Sequence, residues 1–152
     1  MKPCLLLSCL FLIYSISVTG KTTIPDSLAI KIANQPYLKL KDVVNCASPF
    51  TTIEKRVCAN LEFQAIQAEM EKSLKRLIHF YMAQKNEIEH QALIKGQEKW
   101  QRDRNYECQR VHGVFQNKRI IPLEHLLYLT DLTGKREEIL EKQLLNLELS
   151  QK

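Results

Sequence analysis

The side chains with chemistry to offer are few: a thiol at Cys108, an imidazole one helical turn on at His112, and three further histidines, His79, His90 and His125. A thiol beside an imidazole is the start of a nucleophilic pair, because a neighbouring cation lowers the thiol pKa. Such a pair also needs an oxyanion hole and an orienting carboxamide, and no recognisable segment supplies either. The histidines are scattered, and no His-Glu-x-x-His, Gly-rich phosphate loop, Gly-x-Ser-x-Gly or Cys-x-x-Cys occurs. Catalytic, metal and cofactor sites are therefore expected to be absent.

Another pattern stands out between Gln97 and Cys108. Gln97, Trp100, Arg104 and Cys108 follow one another at intervals of three, four and four, the spacing that puts side chains on one helix face. An Arg on the same ridge as the single Trp must reach water or meet a carboxylate from a neighbouring helix. Glu62, Glu69 and Glu71 are the candidates, and the arrangement reads as a structural clasp.

The elements that would hold this ridge are helical. Thr51 or Thr52 caps a first helix with Glu54 in its first turn. Phe63, Ile66, Met70, Leu74, Leu77 and Tyr81 give it one apolar stripe to about Gln84. A second helix spans about Glu87 to Val111, with the ridge Ile88, Ala92, Gly96, Trp100, Arg104 and Cys108, flanked by Leu93, Gln97 and Val111. Gly96 is expected to admit a close helix contact or the indole. Pro122 opens a third helix carrying Leu126, Leu129, Thr133, Arg136, Leu140, Gln143, Leu144 and Leu147. The fold expected is all-α, an antiparallel bundle of three long helices with a disulfide-closed loop before the first. A coiled-coil dimer through Leu140, Leu144 and Leu147 is the rival use of the last stripe.

The N-terminus reads differently. Met1-Lys2-Pro3, an apolar run from Cys4 to Val18 and Thr19-Gly20-Lys21 have the form of a secretory signal peptide cut after Gly20. The run is too short and too rich in serine for a comfortable membrane span, so no span is expected after cleavage. The expected organisation is residues 1–20 as signal, 21–44 as a partly flexible N-terminal arm with a short helical turn near Leu28 to Ala33, and 45–150 as the helical domain. The destination is the periplasm or the exterior. There Cys46 and Cys58 are the natural disulfide couple, closing the loop Ala47–Val57, while Cys108 is the third remaining thiol. Loss of Lys2 takes the formal charge of +5 to +4, dispersed and without a basic, aromatic-interleaved stripe, which argues against a nucleic-acid partner.

Cys46-Ala47-Ser48, Glu54, Cys58, Phe63, Ile66, Met70, the Gln97-x-x-Trp100-x-x-x-Arg104-x-x-x-Cys108 segment and Thr133-x-x-Arg136-x-x-x-Leu140 together resemble the LprI-like N-terminal domain family over about residues 45–145. The resemblance implies a small exported helical domain, a non-enzymatic protein binder with lysozyme as its partner. The family commonly has Asp where Gln67 stands, often Tyr in place of Leu74, and a further Cys near Tyr128 that pairs with the Cys108 equivalent. By that comparison Cys108 is a lone thiol here, either buried against Trp100 and the third helix or bridging two chains in a homodimer. A secreted scaffold acting on a host protein and a thiol-active protein built on Cys108 are the alternatives. Against lysozyme stands the charge, since many lysozymes are strongly basic and this chain is also net positive. No acidic run between Gly113 and Pro122 offsets it.

Overall fold

In a computed structural model the described residues are 26–35, 44–112 and 121–150. They form α1 (Ser27–Ala33), α2 (Thr52–Ala83), α3 (Glu87–His112) and α4 (Leu123–Leu149), and no strand occurs among them. The three long helices are the expected bundle. The residue pairs that meet fix its direction. Met70 and Gln67 on α2 face Gln97 and Arg104 on α3, so those helices are antiparallel. Phe63 shares a cluster with Leu126 and Leu129, Ser73 meets Glu137 and Glu141, and Tyr81 meets Gln143, so α2 and α4 run parallel. The bundle is up-down-up, with its broadest interface between α2 and α4.

The entry to α2 is tightly specified. Thr51 Oγ1 accepts from Glu54 N–H, while Glu54 Oε2 accepts from the N–H groups of Thr51 and Phe50, a reciprocal capping box. Those backbone donors, Thr51 first, hold the Glu54 carboxyl below its ordinary range. Just beyond, Cys46 is bonded to Cys58 in the second turn of α2, as expected. At the other end, α2 stops at Gln84, and Lys85 takes the left-handed conformation with φ 52°. Asn86 N–H then bonds to Tyr81 O, and Asn86 Oδ1 accepts from Glu89 N–H to start α3.

Two apolar clusters fill the bundle. One gathers Ala59 and Phe63 of α2, Cys108 of α3, Leu126 and Leu129 of α4, and Ile121, with Ala29 and Ile32 from α1. The other gathers Met70, Leu74, Leu77, Ile78 and Tyr81 of α2, Leu93 of α3, and Leu140 and Leu144 of α4, with Trp100 packed against it. Leu140 and Leu144 are thus buried within one chain, which takes them out of any coiled-coil dimer.

Two expectations need correction. The α3 ridge holds only in its second half: Leu93, Gln97, Arg104 and Cys108 are buried, whereas Ile88 is 81 % exposed and Ala92 and Gly96 face solvent. The reason is geometric. A step of four residues overshoots one turn by about 40°, so a strict four-residue ridge drifts around the helix. Gly96 accordingly admits nothing; an added Cβ would meet no atom within 4 Å. Gly96→Ala is expected to raise stability by about 1 kcal/mol, read as a shift of the urea midpoint at constant slope. The short helical turn expected near Leu28 to Ala33 is present as α1. Asp26, Ala29 and Ile32 are buried, so α1 is docked on the bundle.

Candidate functional site

The ridge residues converge on a polar layer between the two apolar clusters. Arg104 is at its centre, with a side chain 0 % exposed. Its Nη2 donates to Asp26 Oδ2 at 2.8 Å, and its Nη1 donates to Gln67 Oε1 at 3.3 Å and Thr133 Oγ1 at 3.4 Å. Nε and Nη2 also donate to Asn105 Oδ1. The guanidinium carbon lies 4.8 Å from the Trp100 ring centroid, and that of Arg136 lies 5.8 Å away, so the indole stands between two cations. Arg136 Nε donates to Gln97 Oε1 at 2.9 Å, and Gln97 Nε2 donates to Met70 Sδ at 3.4 Å.

The clasp carboxylate is therefore not Glu62, Glu69 or Glu71. Glu69 pairs with Lys72 at the surface, Glu71 accepts from Gln67 Nε2, and Glu62 is exposed. The partner is Asp26, a residue of the arm that sequence reasoning passed over. Its other oxygen, Oδ1, accepts from the N–H groups of Leu28 and Ala29, capping α1. One carboxylate thus starts a helix and ties it to the bundle. The signal was available: Pro25-Asp26-Ser27, followed by Leu28, Ala29 and Ile32 at helical spacing, is a helix start with an apolar face.

This layer joins all four helices through Asp26, Gln67, Met70, Gln97, Arg104, Thr133 and Arg136. Within it, every donor of the buried Arg104 guanidinium is occupied, which ties α1, α2, α3 and α4 together. Cys108 is equally occupied. It is free of any disulfide and wholly buried, in the cluster with Ala29, Phe63 and Leu129 and not against Trp100. Burial pushes its thiol up to about 11, only partly opposed by the Arg104 charge. Buried there, the sulfur presents no surface to a second chain. The His112 side chain lies outside the described residues, as does the 1–20 segment. No group of three His, Cys, Asp or Glu among the described residues is arranged to hold a metal, and no described helix is long and apolar enough to cross a membrane.

Beside the layer, and sharing Trp100 and Arg104 with it, α3 and α4 leave an open groove of about 400 Å³ lined also by Asp103, Tyr106, Glu107 and Leu132. A second depression of about 360 Å³ follows along α4, lined by Glu124, Leu127, Tyr128 and Asp131. Tyr106 is 69 % and Leu127 48 % exposed. Four carboxylates thus surround exposed aromatic and aliphatic side chains on one face.

Residues 45–140 match the family model described as lysozyme inhibitor LprI. The chain belongs to the LprI family. The match begins beside Cys46 and takes in the disulfide, α2, α3 and most of α4, so Arg104, Gln67 and Thr133 are inside the LprI domain. Asp26 and α1 lie outside it. No curated protein and no solved structure matches the chain.

Proposed function

We propose that this LprI-family chain is an exported, non-enzymatic protein-binding domain of the lysozyme-inhibitor type, working in the periplasm or outside the cell. The family match over residues 45–140 carries the reading. A buried Arg104 whose donors are all engaged, and a buried thiol raised to about 11, favour binding over catalysis.

The α3–α4 face is the proposed contact surface, and it answers the objection from net charge. Asp103, Glu107, Glu124 and Asp131 border it, although the chain as a whole is positive. Three of these carboxylates pair along their own helix with Lys99, Arg110 and Lys135, in contacts that are largely exposed. Exposed pairs of this kind contribute little, so a basic protein can exchange its own cations for them at small cost. Tyr106 and Leu127 supply the apolar contact that such interfaces concentrate at their centres.

The test is a cell-lysis assay with several lysozyme types. The folded protein is expected to slow at least one of them, and the double variant Tyr106→Ala, Leu127→Ala to need about tenfold more protein for the same effect. Lysis unchanged by a folded sample at roughly tens of micromolar would sink the lysozyme reading.

A further inference from the structure

The polar layer treats its occupants unequally. Gln67, Thr133 and Arg104 belong to the LprI domain, whereas the carboxylate that completes them, Asp26, arrives on α1 from outside it. α1 has seven residues, and a helix below about 12–15 residues is marginal on its own in water. Its conformation is lent by the place where it sits. That place offers two things. A buried guanidinium, backed by Trp100, receives the N-capping carboxylate. A trench that includes Phe63, Cys108 and Leu129 receives Ala29 and Ile32, which follow Asp26 by three and six residues on one face. Ile30 points the other way and is 55 % exposed.

We propose that the Arg104 trench of the LprI domain is a receptor for a short amphipathic helix that opens on a carboxylate, occupied in cis by α1. The occupant carries an acid at the N-cap, then small and branched aliphatic side chains three and six residues on, as Asp26, Ala29 and Ile32 do. Another segment of that pattern competes for the same socket once α1 is released. Every receptor group is supplied by residues within 45–140, and the helix brings only its acid and its apolar face. This is separate from the lysozyme reading because it concerns a different ligand, although Trp100 and Arg104 also line the α3–α4 groove.

Cys108 is buried in the same cluster as Ala29 and Ile32, so its accessibility reports whether α1 is seated. The full chain is treated with iodoacetamide at neutral pH, and modification is read at Cys108 by peptide mass spectrometry. Asp26→Asn removes the charge on the clamp, and Ile32→Ala removes the apolar anchor while leaving the ion pair. Each variant is expected to keep the helical circular dichroism of the bundle and to be modified at Cys108 about tenfold faster than the parent, because a local opening replaces global unfolding. A synthetic peptide of residues 24–35, added in trans at about millimolar concentration, is expected to restore protection to both variants. The same peptide carrying Asp26→Asn should restore markedly less. Three results would overturn the proposal: Cys108 as protected in both variants as in the parent, fast modification that the peptide does not slow, or loss of the helical bundle in both variants. The last would make α1 an inseparable part of the fold.

Discussion

Arg104→Ala is expected to lower the unfolding free energy by about 3–5 kcal/mol, the cost of leaving one member of a buried ion pair alone. The substitution removes more than a charge. Asp26 keeps the N–H groups of Leu28 and Ala29 but loses the only cation that reaches its Oδ2 among the described residues. Gln67 Oε1 and Thr133 Oγ1 lose a buried donor, and the Trp100 ring loses the nearer of its two cations. Arg104→Lys is not expected to rescue the protein, since a single ammonium cannot serve Asp26, Gln67, Thr133 and Asn105 in one plane. Urea unfolding followed by circular dichroism checks both variants. An unchanged midpoint for Arg104→Ala would remove the clasp.

The second large effect is expected from the disulfide. Cys46→Ser with Cys58→Ser opens a loop with a sequence separation of 12 residues, and closing a loop of that size contributes about 3 kcal/mol by restricting the unfolded chain. The loss acts at the start of α2, where the capping box of Thr51 and Glu54 remains to hold the helix end. The double variant is therefore expected to keep its helix content while its urea midpoint falls. Reduction of the parent protein should give the same midpoint. Equal stability with and without the bond would mean that the capping box alone sets the entry to α2.

Much of this architecture was legible before any coordinates. The apolar stripe of α2, the stop near Lys85, the start of α4 at Pro122 and the Cys46–Cys58 pairing all follow from local rules of spacing, capping and loop length. These are short-range properties, carried by residues within one or two turns of each other. The α3 ridge was legible only from Gln97 onward, because its first half relied on a four-residue step that does not stay on one face. The clasp partner was the principal miss. Arg104 was matched to carboxylates on the helix known to face it, whereas its partner lies 78 positions away in a segment read as an arm. A contact of that range leaves no periodic trace, and a seven-residue helix is too short to declare a strong one. Gln67 completes the picture. Its amide oxygen accepts from Arg104, and the charge of the clasp comes from Asp26. Cys108 is held by burial and not by a bond.

The most direct test of the clasp is a double-mutant cycle between positions 26 and 104. Unfolding free energies are measured for the parent, Asp26→Asn, Arg104→Met and the double variant. A shared buried contact predicts that the double variant is more stable than the sum of the single losses allows, by about 2 kcal/mol or more. Losses that add to within about 0.5 kcal/mol would show that Asp26 and Arg104 do not act together, and would contradict the account.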